Sequence, residues 1–207
     1  MTARARTFVC NSAALVTLSV AATLACSGPP AKAPEAPQHA GPQHWYPLDA
    51  GNVWSFSIRE VKGGPAILVV TKVIAFDGTL ALLQTGSAET SLRVTADSIA
   101  REPSGSVLLR TPLRLGDKWA GATGSQVEVT RLDAAVTTDA GAFKGCVEIT
   151  ETFAGDDART MHTTFCPEVG PVLVDVRPIG LPIDGTPQGE IGKLRSFSPA
   201  TPAAGAR

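Results

Sequence analysis

Past its first 25 or so residues the chain has no stretch of about eleven residues with a convincing helical apolar period, which excludes a helix bundle and a helix-covered parallel sheet. It also has no Gly-x-Ser-x-Gly elbow, no phosphate-cradling glycine loop and no His-Glu-x-x-His zinc helix. Histidine is scarce: His39 lies in a linker, His44 beside Trp45, and His162 on a strand. A histidine in a tether or on a solvated strand serves most simply as a polar residue. Asp156-Asp157 lacks the alternating oxygen ligands and downstream acid of a calcium loop, so a turn is the better reading. No metal or cofactor is implied. There is no basic excess either. Without Arg4 and Arg6 of the leader, the 18 basic residues leave a small deficit against 19 acidic ones. That balance excludes a nucleic-acid partner, which needs a basic face, and leaves electrostatic membrane docking without a source.

What is present begins with an export pattern. Arg4 and Arg6 precede an apolar run from Phe8 to Ala25, and small residues lead into Cys26. Thr23-Leu24-Ala25-Cys26 resembles a bacterial lipobox, which implies acylation of Cys26 as the mature N-terminus and a membrane partner through that lipid. The match departs at Thr23, where an aliphatic residue is usual. An uncleaved transmembrane anchor is the alternative. Ser27, in place of Asp, implies outer-membrane sorting on the same resemblance. The expected organisation is a signal peptide over 1–25, a Pro/Ala-rich tether over 26–43, an all-β domain over 44–197 and a frayed tail over 198–207.

The domain is read as antiparallel all-β, with about ten short strands forming a sandwich or a curled, partly open barrel. Trp54, Phe56 and Ile58 alternate with Ser55, Ser57 and Arg59, the period of a half-buried strand. Strands are expected over 66–76 and 79–85 around Asp77-Gly78, then over 91–100 and 106–110 across Pro103-Ser104-Gly105. Further strands are expected over 126–132, 135–139, 146–153, 159–165, 172–177 and 190–197, with a long loop from Pro178 to Gln188. One turn occurs twice: Pro47-Leu48-x-x-Gly51-Asn52-x-Trp54 returns as Pro112-Leu113-x-x-Gly116-Asp117-x-Trp119. Pro presets φ and Gly permits positive φ, so each copy launches a Trp-led strand.

Of the four cysteines, Cys10 falls in the leader and Cys26 is the lipid acceptor, leaving Cys146 and Cys166 as a pair. A turn at Gly155-Asp156-Asp157 sets Ala154 opposite Ala158 and therefore Cys146 opposite Cys166. The same register puts Glu148, Thr150, Thr152 and His162 on a polar face and Val147, Ile149, Phe153, Met161 and Phe165 on an apolar one, Glu151 being the exception. A disulfide stapling this hairpin from its solvent side is expected; two reduced or metal-binding thiols are the alternative, with no second pair of ligands nearby in sequence.

The tryptophans have two readings. Trp54 and Trp119 either fill the core edge or line a ligand groove, for which Trp54, Phe76 and Leu83 are the candidates. A hydrolase would require a cleft bringing His162 together with acids from other strands.

The opening Tyr46-Pro47-Leu48-x-x-Gly51-Asn52-x-Trp54, the set Gly141, Phe143, Cys146, and the late Pro167, Val169, Gly170, Val172 together resemble a broad group of uncharacterised bacterial envelope proteins, many of them lipoproteins. The resemblance spans about residues 45–177 and implies a secreted all-β domain with no catalytic residues to carry over. A looser likeness to curved-sheet lipoprotein carriers is one of fold alone. The functional expectation is a lipid-anchored outer-membrane protein, non-enzymatic, with a binding or scaffolding role. The alternatives are a carrier of a lipid or other apolar ligand, and a hydrolase without recognisable motif.

Overall fold

Alternating side chains and frequent turns yield strands throughout the described part of the chain. The computed structural model describes residues 41–156, 158–180 and 188–201, all within a compact unit over 33–207. The leader, Cys26, His39, Asp157, residues 181–187 and residues 202–207 lie outside the described residues.

After a single helical turn, α1 (Pro42–Trp45), the first half of the sheet comprises β1 (Val53–Glu60), β2 (Ile67–Phe76), β3 (Leu80–Thr85), β4 (Ala88–Val94), β5 (Ser98–Glu102) and β6 (Ser106–Arg110). The second half comprises β7 (Lys118–Ala120), β8 (Gln126–Thr138), β9 (Gly141–Phe153), β10 (Arg159–Cys166), β11 (Gly170–Pro178) and β12 (Glu190–Ser198). They form one 12-stranded antiparallel sheet in the order β6-β5-β4-β3-β2-β1-β12-β11-β10-β9-β8-β7. The sheet curls into a nearly closed, barrel-like shape with one unsealed seam, between β6 and β7. A partly open barrel, not a sandwich, is therefore the architecture.

The repeated turn has the same backbone wiring in both copies. Gly51 N–H donates to Val73 O at 2.8 Å and Val73 N–H to Asn52 O at 2.9 Å; Gly116 N–H donates to Val129 O at 2.9 Å and Val129 N–H to Asp117 O at 3.0 Å. Both glycines have positive φ, +100° and +83°, the conformation for which the sequence selects Gly. Each copy opens a six-stranded meander, so the sheet is two similar halves in tandem. β1 pairs with β12 along its whole length, whereas the three-residue β7 makes no ladder with β6. Across that seam Trp119 Nε1–H donates to Val107 O at 3.0 Å, and the Arg110 guanidinium lies 5.6 Å from the Trp119 ring centre.

Several sequence expectations change. The stretch 91–100 is two strands, because Thr95–Ser98 forms a turn without Gly or Pro: Ser98 N–H donates to Thr95 Oγ1 at 2.9 Å, and Thr95 Oγ1 donates to Asp97 Oδ1 at 2.8 Å. The stretch 126–139 is one long strand, β8, and β9 starts at Gly141. Pro42, expected in the tether, is buried in α1. Ser198, expected as tail, ends β12 opposite Val53, and Ala200 N–H donates to Asn52 Oδ1 at 2.6 Å.

The β9–β10 register is the expected one, with Phe153 opposite Arg159, Thr150 opposite His162 and Val147 opposite Phe165. Cys146 and Cys166 form the disulfide, with Cα atoms 4.2 Å apart. The expectation that it lies on the solvent side is corrected: Cys146 and Cys166 are 0% and 1% exposed. The cause is the β8–β9 arm. Three register shifts between Val129 and Val136, with positive φ at Asp133 and Gly145, bend it. Its tip reaches β12, where Ala140 N–H donates to Leu194 O at 3.2 Å, so the arm lies over the outer face of β10–β12.

Glu151, the exception on the apolar face, is buried and accepts from Ser125 Oγ at 2.5 Å and from Ala122 N–H at 3.1 Å. Gly121 is required beside it, since a Cβ there would lie 2.5 Å from Glu151 Oε1 and 2.4 Å from Ser125 Oγ. Replacing Cys146 and Cys166 together by Ala should lower unfolding free energy by about 3 kcal/mol, the loop-entropy value for a crosslink of this span. Urea denaturation of the oxidised wild type against the double variant measures it.

Candidate functional site

The two ends of the curled sheet differ. At the end where β1 begins, the interior is packed by Trp45, Tyr46, Leu48 and Trp54, all buried. Trp54 Nε1–H donates to Val169 O at 2.6 Å. Its ring stacks on Phe197 at 5.3 Å and meets Tyr46 edge-on at 5.4 Å. Gly170, at φ +95°, leaves no room for more: a Cβ would sit 3.2 Å from Tyr46 Cδ2 and 3.3 Å from Trp54 Nε1. Glu168 N–H donates to His44 O at 2.6 Å and pins α1 into this end. Burial pushes the Tyr46 hydroxyl pKa well above the ordinary phenol range, against a smaller opposing pull from Arg101.

At the opposite end the inner wall is apolar and only partly covered by the described residues. Phe56 faces Val69 and Ile58 faces Ile67 across β1–β2. Ile58 also faces Gly192, which in turn faces Val174 on β11. Phe56, Ile58, Val69 and Val174 are half-buried, and Ile67 is 61% exposed. A cleft of about 260 Å³ opens here, lined by Ile58, Glu60, Pro65, Ile67 and Glu190 among others. A second cleft, of about 460 Å³, lies between the arm tip at Asp139 and the outer side chains Ser57, Arg59, Ile191 and Lys193. A third, of about 570 Å³, adjoins Asn52 and Ala200 at the packed end. There the buried Asn52 side chain is already satisfied, donating to Pro47 O at 3.1 Å and accepting from Ala200 N–H.

Trp54, Phe76 and Leu83 share the inner face, Phe76 through a bulge between Val73 and Ala75 that reverses the alternation of β2, but Trp54 and Leu83 are buried core and Phe76 is half-buried against it. None of the three lines the clefts just described. The place the sequence reading missed is the Ile58–Ile67 end. Its signal was Ile67-Leu68-Val69-Val70, apolar at consecutive positions where a one-sided strand would alternate.

His162 is not isolated. Its Nδ1 lies 2.9 Å from Thr150 Oγ1 and 3.8 Å from Glu148 Oε1, and Asp175 is its cross-strand neighbour on β11, held by Arg177. Hydroxyl and carboxylate approach the same ring nitrogen. A relay needs them on opposite nitrogens, so this cluster is a polar network on the sheet and not a nucleophile–base–acid chain. Among the described residues no group of three or more His, Cys, Asp or Glu could hold a metal ion. His44 Nδ1 stands 4.0 Å from Glu168 Oε1 at the surface.

No family model matches the chain, and no curated protein matches it. Solved structures do. One is a Bacteroides fragilis protein considered exported and having a YmcC-like fold, at TM-score 0.50 and 10% identity, covering 77% of this chain and 100% of that one. Another is considered a lipoprotein of Parabacteroides distasonis, at TM-score 0.43 and 10% identity, covering 75% of this chain and 98% of that one. At such identity the first likeness concerns fold.

Two outcomes follow from the packed end. Trp54→Ala should cost about 3–5 kcal/mol in denaturant unfolding, since it removes a buried ring and orphans a carbonyl; a cost below about 1 kcal/mol would mean the ring is not core. Tyr46 is the chain's single tyrosine, so its ionisation is visible by ultraviolet absorbance. Its pKa is raised in the fold, so its contribution to stability is complete below the unfolded value of about 10 and is lost as pH climbs above it. The tyrosinate signal should therefore rise only with alkaline unfolding, and Tyr46→Phe should flatten the loss of stability above about pH 10.

Proposed function

We propose that this is a lipid-anchored protein of the bacterial cell envelope, held to the outer membrane through acylated Cys26, with a non-enzymatic binding or scaffolding role. The reading is supported by the export pattern and lipobox-like sequence, by a buried disulfide suited to an oxidising compartment, and by a fold shared with a protein considered exported. Metabolic palmitate labelling of the full chain tests the anchor. Wild type should incorporate label and Cys26→Ala should not; an unlabelled wild type removes the anchor from the proposal.

The observation that carries a binding role is the contrast between the two ends of the sheet. One is filled by α1 and Trp54, while the other presents Phe56, Ile58, Ile67 and Val69 only partly covered. Such a wall favours a ligand of matching chemistry, so the second reading is a carrier that holds a lipid or other apolar chain there. Native mass spectrometry of protein purified from envelopes should show an added mass released by detergent. A mass equal to the bare chain would leave only the scaffolding role.

A further inference from the structure

We infer that the chain forms a two-fold dimer by joining the free edge of β2 at Ile67–Val70 to the same edge of a second copy. β1 covers one side of this segment, from Ile58–Ile67 to Ser55–Val70. On its other side the ladder to β3 starts only at Thr71–Thr85. Ile67 to Val70 thus run beyond the β3–β4 hairpin, with no strand on their second edge among the described residues.

The segment is apolar on both faces. Ile67 and Val69 point with Ile58 and Phe56 to the inner side, Leu68 and Val70 with Ser57 and Ser55 to the outer one. Ile67, Leu68 and Val70 are 61%, 58% and 43% exposed. An aliphatic edge of this kind is a template for another strand, and proteins that must avoid pairing place a charge, a proline or a bulge on it. Other edges of this molecule carry such devices. β8 beyond β7 has three register shifts and the charges of Arg131 and Asp133, and β6 faces the seam with Arg110 laid over Trp119. Ile67–Val70 has none.

A bilayer is the wrong occupant, because unpaired backbone groups cannot be satisfied in hydrocarbon. A second strand satisfies them, and the segment is its own complement. Antiparallel pairing about a two-fold axis normal to the sheet sets inner aliphatics against inner and outer against outer, with no charge inside the joined stretch. The two hairpins would also close over each other's Ile58–Ile67 clefts. This inference does not depend on the lipid anchor.

The test uses residues 33–207, the compact unit that contains every strand of the described residues, the core and the disulfide. Sedimentation velocity at about 100 µM should show a dimer for wild type, with dissociation in the micromolar range. Leu68→Lys with Val70→Lys should be monomeric at that concentration, with an unchanged circular dichroism spectrum. The same protein mixed with the Leu68→Glu, Val70→Glu variant should recover the dimer, because opposite charges then face each other across the joined edge. A wild-type monomer at that concentration overturns the inference. So does a Lys variant that stays dimeric, or a mixture that stays monomeric while both variants are folded. Binding of the edge to a different protein while wild type alone remains monomeric counts as the first of these.

Discussion

The indole N–H of Trp54 and the carbonyl of Val169 bring together parts of the chain that are far apart in sequence, and the packed end of the sheet depends on that contact. A buried indole N–H without an acceptor costs about 1–3 kcal/mol, so the β10–β11 turn must be held against β1. Several residues answer to that requirement. Gly170 has no side chain because Tyr46 and Trp54 occupy the space a Cβ would need. Glu168 N–H donates to the carbonyl of His44, which fixes α1. Cys166, just ahead of the turn, is tied to Cys146. The three sequence patterns around Trp54, Cys146 and Gly170 are thus parts of one assembly.

The tandem halves show how one local device gives two outcomes. Both launching turns have the same hydrogen bonds, but β1 has eight residues and a partner in β12 while β7 has three and leaves a seam. Trp54 is preceded by Trp45 and Tyr46, which fill the interior beside it; Trp119 is preceded by Arg110 and Thr111, and its ring stays half-exposed under a guanidinium. The second half instead grows a long bent arm that covers its own outer face. The first half has no arm, and its outer face at β2 remains bare.

These contrasts explain what was legible in the sequence. Alternation located most strands, but Phe76 joins Trp54 and Leu83 on the inner face only because a bulge between Val73 and Ala75 reverses the alternation of β2. The β9–β10 register followed from a turn and a cysteine pair only a few residues away, all local quantities. Burial of the disulfide could not be read there, because it depends on the arm, whose path is set by bulges with no strong sequence signature. Nor could alternation say which stretch of the inner face is filled, since the filler, α1 with Leu48, packs in from outside the strands. The Thr95–Ser98 turn escaped for a simpler reason: side-chain hydroxyls and a carboxylate supply what Gly or Pro usually announces.

Both described chain termini meet at the packed end. Gly41 lies against the β4–β5 turn at Ala96, and Ala200 is bonded to Asn52. The β1–β2 hairpin, with the Ile58–Ile67 cleft and the free β2 edge, lies at the far end of an eight-residue strand, about 25 Å away. Filling the packed end is the natural consequence of a chain that enters the sheet interior before it begins to pair. Among the described residues, none fills the opposite end as α1 and Leu48 fill this one.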